Sequence, residues 1–205
     1  WFPCHDYPNV RMTSEVIATV PRGYFALSNG TLTPDGQKDD PASGTTRFHW
    51  RHDIPHVSYL VTLAVGEFAE HKEKVGEVEL AYYFPKGREE DARRAFEHTS
   101  RMLDVFSEST GQPYPYPKYA QVVVTNFIWA GMENTTATTL HEWVLCDERA
   151  ALDYSPDPLV AHELAHQWFG DLLTCRDWSH AWLNEGFATF FELVFREKSL
   201  GRDEY

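Results

Sequence analysis

The sequence predicts an α+β protein, with a β-rich first part over residues 1–87 and an α/β part over residues 88–205. Two observations carry this prediction. Before residue 87 the apolar residues alternate with polar ones in short runs, which is typical of strands half-buried in a sheet. After the turn at Pro85-Lys86-Gly87 they recur at the three- and four-residue spacing of helices.

The strands of the first part are marked by alternation and by turn residues. Val16, Ala18 and Val20 alternate before a Pro-Arg-Gly turn, and Asn29-Gly30 ends the next run. The runs SYLVTLAVGEF and EVELAYYF are rich in β-branched and aromatic residues, which favour strands.

The second part is expected to open with one helix and to end with two. The stretch EEDARRAFEHTSRMLDVFSEST has acidic residues in its first turn, an apolar face and Gly111 as its stop. QVVVTNF then predicts a short buried strand. One later helix begins near Ser155-Pro156, and the last helix runs from about Asn184 to Lys198.

Composition excludes several classes of protein. The net charge of −13 argues against nucleic acid as a partner, because phosphates call for a basic surface. No apolar run approaches the roughly 20 residues that cross a bilayer, so we expect no membrane segment in this chain. Cys4, Cys146 and Cys175 are too few and too widely spaced for a disulfide framework, which favours a reducing, cytoplasmic compartment.

The stretch AHELAHQWFG predicts a metal site. His162 and His166 are four residues apart, so on a helix their imidazoles stand one turn apart and can share a tetrahedral ion. Glu163 lies beside the first of them, where it can act on water without binding the metal, as in the H-E-x-x-H pattern. Glu185 lies at the start of the last helix, and a hairpin of the two helices can bring its carboxylate to the histidines as a third ligand. Such a His₂Glu set suits one Zn²⁺ ion better than Mg²⁺ or Ca²⁺.

Other candidate ligands are interpreted as structural. His49, His52 and His56 in HWRHDIPH have a proline among them, so they cannot share a helix face, and we expect strand and loop residues. Asp171 and Asp177 lie in the loop between the last two helices, where loop solvation and turn capping are the expected roles.

These motifs together resemble those of the aminopeptidase N-like zinc metallopeptidases. HELAHQWFG with the later WLNEGFA resembles the zinc signature of that family, and AGMEN is similar to its exopeptidase motif, Gly-Ala-Met-Glu-Asn. WFPCHDYPN, FPKG and PYPYPKY also resemble family segments. The resemblance implies that residues 1–87 are the end of a β-saddle domain and that residues 88–205 are the first part of a truncated thermolysin-like catalytic domain.

Carried over residue by residue, the resemblance implies that the zinc ligands are His162, His166 and Glu185, and that Glu163 is the general base. The catalytic tyrosine of the family and an amine-binding glutamine fall outside this sequence, so we expect a piece of a longer enzyme.

The same resemblance assigns substrate contacts to the AGMEN stretch. Glu133 would bind the free α-ammonium of a peptide, and Ala130, Gly131 and Met132 would line the groove beside it. The order Ala-Gly departs from the usual Gly-Ala, but both residues are small enough for a peptide backbone to lie close.

The expected function is zinc-dependent aminopeptidase activity on peptides with a free amino terminus. A zinc site alone predicts only hydrolysis, so a zinc endopeptidase of thermolysin type remains an alternative. For the chain by itself, a non-catalytic module of the same fold is the other alternative. The sequence contains no indication of oligomeric state.

Overall fold

In the computed structural model, which describes residues 1–204, ten strands form three sheets and four α-helices pack on the largest sheet. The strands are β1 (Arg11–Pro21), β2 (Phe25–Ser28), β3 (Thr31–Asp40), β4 (Thr45–Val57), β5 (Leu63–Gly66), β6 (Phe68–Val75), β7 (Val78–Pro85), β8 (Lys118–Val124), β9 (Gly131–Met132) and β10 (Ala137–His141). The helices are α1 (Glu89–Ala95), α2 (Thr99–Thr110), α3 (Asp157–Ala165) and α4 (Trp182–Leu200).

The first five strands, here called the β unit, form two antiparallel sheets. One sheet has the order β1-β4-β3, and the other pairs β2 with β5. Ala18 lies opposite Phe48, and Val16 lies opposite Trp50. The alternation in β1 buries Ala18 and Val20 and exposes their neighbours, so the predicted strand is confirmed.

The largest sheet, here called the central sheet, has the strand order β6-β7-β8-β10-β9. β7, β8 and β10 are parallel, and the outer strands β6 and β9 run antiparallel to their neighbours. The helices α1 and α2 supply the crossover that parallel pairing of β7 with β8 requires. Strands from both sides of residue 87 therefore share this sheet, and the domain limits 1–87 and 88–205 stay a prediction.

The central sheet is covered on both faces. Along β7, Leu80, Tyr82 and Phe84 pack among the helices, whereas Ala81 and Tyr83 pack against the β unit. β8 is likewise buried along nearly its whole length. This burial on two faces explains why residues 122–124 are three successive valines instead of an alternating pattern.

The helix predicted over residues 89–110 is interrupted and forms two helices, so the prediction of one continuous helix was wrong. The helix is interrupted between α1 and α2, where Phe96 stacks on Tyr82 with 5.0 Å between ring centroids. At the start of α2, the hydroxyl of Thr99 donates to the buried amide oxygen of Gln121 at 3.0 Å. The break thus buries an aromatic ring and supplies a partner for a polar group in the sheet. Gly111 ends α2 with φ of 67°, as predicted.

The last two helices pack on each other and on the central sheet. α3 carries Pro158 in its first turn, where the missing N–H has no intrahelical role. α4 begins at Trp182, two residues before the predicted start. Within the described residues, no helix is both long enough and apolar enough to span a membrane.

Candidate metal centre and active site

Three potential metal donors converge where α3 ends and α4 begins. His162 lies in the last turn of α3, His166 follows as its cap with helical backbone angles, and Glu185 lies in the first turn of α4. The two imidazole Nε2 atoms are 3.1 Å apart, and Oε2 of Glu185 lies 3.2 Å and 3.5 Å from them.

The partners of the opposite ring nitrogens indicate that these donors present lone pairs to one point. Nδ1 of His166 lies 2.9 Å from the carbonyl oxygen of Phe169, so this nitrogen carries the ring proton. Nδ1 of His162 lies 3.7 Å from a carboxylate oxygen of Glu192, which favours the same tautomer. Once a metal ion displaces the protons on Nε2, two imidazoles and one carboxylate facing one point would form the donor set that Zn²⁺ takes in catalytic sites.

The electrostatics of the three donors also favour a cation. Burial alone would lower the pKa of His162, but the carboxylates of Glu185 and Glu192 raise that pKa to about 10. Conversely, the contacts with His162 and then His166 hold the pKa of Glu185 far below its usual value. The residues therefore fit a zinc ion both by donor type and by charge.

Glu163 is buried beside the donor set. Its side chain is 5% exposed, and within the described residues its Oε2 atom has no hydrogen-bond partner. Burial raises the pKa of Glu163 to about 8. The carboxylate lies against Gly131, where a side-chain Cβ would collide with it. The sequence predicted Gly131 as a small residue beside the substrate; the structure shows that it also makes room for Glu163.

Glu133 lies close to both Glu163 and His166. It follows β9, which pairs with β10 through Gly131 and Met132, and its side chain is 8% exposed. Its carboxylate, that of Glu163 and the imidazole of His166 each bring one donor atom within 4.8 Å of the others. The fold thus brings the AGMEN stretch and the HELAH stretch into contact.

All of these side chains face one open cavity of about 720 Å³. The eight predicted site residues line it: Ala130, Gly131, Met132, Glu133, His162, Glu163, His166 and Glu185. Its walls also include Tyr59, Trp129, Trp178 and Asn184. A cavity of this size accommodates a short peptide segment.

The second group of histidines is structural. All three lie on β4, where His49 pairs with Glu15, and His52 and His56 are buried. Asp177 caps the turn Trp178–His180, because its carboxylate accepts from the backbone N–H of Ser179 at 2.9 Å. The expectation that these groups serve strands and turns is confirmed. For Asp171 the expectation of a solvated loop residue was wrong, because that residue is fully buried, with 0% of its surface exposed.

The family model described as the Peptidase family M1 domain matches residues 94–204. The chain belongs to the M1 peptidase family. It is 34% identical to "Aminopeptidase M1" of Arabidopsis thaliana over 195 residues, which are 92% of this chain and 22% of that protein.

Two further relatives belong to distant organisms. "Glutamyl aminopeptidase" of Homo sapiens is 34% identical over 94% of this chain and 20% of its own length. "Probable aminopeptidase 2" of Sulfurisphaera tokodaii is 32% identical over 93% of this chain and 24% of its own length. This M1 chain therefore spans about a fifth to a quarter of the curated relatives it matches.

Sequence reasoning missed two residues that shape this M1 site. Glu192 lies seven residues after Glu185, a spacing that puts both on one face of α4, so a helical projection could have found it. Gln167 is fully buried and joins the end of α3 to the AGMEN stretch. Its amide nitrogen donates to the carbonyl of Glu133 at 3.1 Å, and its amide oxygen accepts from the N–H of Thr136 at 2.9 Å. No pattern in the neighbouring sequence indicates this role of Gln167.

Proposed function

We propose that the protein containing this chain is a zinc-dependent aminopeptidase that hydrolyses the first peptide bond of peptides with a free amino terminus. The observation that carries the proposal is the position of the Glu133 carboxylate, which lines the same cavity as His162, His166 and Glu185. The names of its relatives, all aminopeptidases, support the same activity.

The metal ligands in this proposal are His162, His166 and Glu185. When bound there, zinc would supply Lewis acidity, which polarises a peptide carbonyl and lowers the pKa of water so that it can lose a proton and act as the nucleophile at neutral pH. Glu192 beyond His162 and the Phe169 carbonyl beyond His166 orient the imidazoles.

Glu163 performs the proton transfers. Its carboxylate takes a proton from the attacking water while the oxygen adds to the carbonyl carbon. It then gives that proton to the amide nitrogen as the carbon–nitrogen bond breaks, so that the leaving peptide departs as a neutral amine. The unpartnered Oε2 atom of Glu163, beside the donor set, is available for both transfers.

Glu133 determines where the chain is cut. A carboxylate in this position accepts charge-assisted hydrogen bonds from an unblocked α-ammonium group. The first residue of the peptide is thereby held with its own carbonyl at the metal donors, and Ala130, Gly131 and Met132 line the groove alongside. A blocked amine cannot make this contact, which makes the enzyme an exopeptidase.

The fold proposal is correspondingly finer than a mixed α and β architecture. We assign the β unit to the end of a β-saddle domain, and the central sheet with its helices to the first part of a thermolysin-like catalytic domain. The catalytic sheet then starts at β6 instead of residue 88, because β6 and β7 pair within it.

The test compares an aminoacyl anilide with its N-acetylated twin, using the full-length protein loaded with zinc. We expect cleavage of the free-amine substrate alone and its loss on chelation, with recovery after zinc is returned. Equal cleavage of both substrates would refute the amine anchor and indicate an endopeptidase of thermolysin type. Zinc binding without cleavage of either substrate would indicate a non-catalytic module.

A further inference from the structure

A tyrosine of the β unit reaches into the cavity and contacts Glu133. Tyr59 lies in the short turn Ser58–Leu60 after β4, and its hydroxyl donates to Oε1 of Glu133 at 3.0 Å. We propose that Tyr59 is a positioning residue that holds the Glu133 carboxylate in the orientation that receives the substrate ammonium. This inference rests on the function proposed above.

The direction of the hydrogen bonds around Tyr59 is determined by their partners. The backbone N–H of Cys175 can only donate, and it lies 3.1 Å from Oδ1 of Asn184. The Asn184 amide therefore turns its Nδ2 group toward the Tyr59 oxygen, at 3.4 Å. Because that oxygen accepts from Asn184, its own proton is free to point at Glu133, which when ionised can only accept.

The ring and backbone of Tyr59 are held independently of this hydrogen bond. Trp178 packs edge-on against the ring, with 5.0 Å between centroids. The buried amide of Asn29 donates to the carbonyls of both Leu60 and Thr135, at 2.9 Å and 2.7 Å. One side chain thus ties the turn that carries Tyr59 to the segment that carries Glu133, which sets the spacing between them.

In this arrangement the two oxygens of the Glu133 carboxylate have different partners. Oε1 is occupied by the Tyr59 hydroxyl, so rotation of the carboxylate is restricted and Oε2 remains for the ammonium group. Without the hydroxyl, Glu133 has to be ordered when the substrate binds, which weakens binding without altering the groups that transfer protons. We therefore expect the effect in KM rather than in kcat.

The test variant is Tyr59→Phe in the full-length, zinc-loaded protein, which keeps the ring and its packing on Trp178. The matched control is Tyr82→Phe, because Tyr82 also donates to a glutamate, Glu73 at 2.6 Å, away from the cavity. For the aminoacyl anilide, Tyr59→Phe should raise KM about tenfold, the effect expected for one hydrogen bond to a charged group. Its kcat should stay within about threefold, while Tyr82→Phe should change neither constant by that much.

A double-mutant cycle separates positioning from a general loss of structure. In a Glu133→Ala background, Tyr59→Phe should change kcat/KM less than about twofold, since the group it positions is absent. An equal loss in both backgrounds, including one caused by misfolding, would overturn the inference, as would an unchanged KM in the single variant. If the wild type cleaves the N-acetylated twin equally well, the proposed function fails instead, so the two failures are distinguishable.

Discussion

The buried histidine pair on β4 should make the β unit sensitive to acid. His52 and His56 are 3% and 0% exposed, and their ring centroids are 4.6 Å apart. Burial, and then the charge of Lys118, lowers the pKa of His52 to about 4. Burial, and then His52 and Arg11, lowers the pKa of His56 to about 3. Both imidazoles are therefore neutral in the folded protein at every pH above these values.

The sign and size of the effect follow from linkage. In the unfolded chain both groups titrate near 6.5, so the unfolded state binds the additional protons and is stabilised relative to the folded state as the pH falls. Stability is complete above about pH 7.5 and is lost progressively from 6.5 down to the folded pKa values. At pH 5 each histidine costs about 2 kcal/mol, or about 4 kcal/mol for the pair.

The assay is the protection of β1 and β4 amides against hydrogen exchange, measured between pH 7.5 and 5. His52→Leu replaces one titrating side chain with an apolar one of similar volume. The Nε2 atom that it deletes has no hydrogen-bond partner among the described residues. This variant should lose about 2 kcal/mol less opening free energy over that pH range than the wild type. The control is His5→Gln, at an exposed position, which should follow the wild type. Parallel pH curves for wild type and His52→Leu would refute the reasoning.

Three further predictions concern the candidate site. Glu163→Gln should keep zinc content unchanged and lower kcat about 10³-fold, because the proton acceptor is lost. Glu133→Gln should lower kcat/KM about 30-fold for the free-amine anilide, the effect of losing a charged partner worth about 2 kcal/mol. Gln167→Leu should lower the free energy of unfolding by about 3 kcal/mol, because two buried backbone groups lose their partner; Gln37→Leu, on the exposed surface, is the control.

Each of these has a contradicting outcome. If Glu163→Gln kept the wild-type kcat, Glu163 would not be the group that transfers the protons. If Glu133→Gln lowers kcat/KM equally for the free-amine and the N-acetylated substrates, Glu133 does not bind the ammonium group. Urea denaturation midpoints for Gln167→Leu that match those of the Gln37→Leu control would show that the buried amide is dispensable.

The parts of the site that the sequence could predict are those set by local geometry. His162 and His166 are one helical turn apart whatever surrounds them, and Gly111 stops a helix by its own backbone freedom. Tyr59 and Glu133 are 74 residues apart, and their contact depends on how the β unit docks on the central sheet. No pattern in either stretch encodes that docking.

The histidines of β4 show a different limit. Residues four apart on a regular strand are far from each other, yet the rings of His52 and His56 touch. The register explains this: Ser14 lies opposite His52 and Met12 opposite His56, so β4 uses two more residues than β1 over the same length. The bulge, which contains Pro55, bends β4 and shortens its path, and this brings the two rings together. Alternation in the sequence predicts the strand but not this irregularity.

The burial of both faces of the central sheet affects whether proteolysis can separate the β unit from the rest of the chain. A linker joining independent domains can be nicked by a protease to release each half intact. Here, removal of the β unit would uncover Tyr83, Val122 and Ala137 on one face of the sheet that carries the AGMEN stretch. It would also take away Asn29 and Tyr59, which contact the segment after β9. We therefore expect the β unit and the central sheet to unfold together, and proteolytic removal of the β unit to destabilise the sheet that remains.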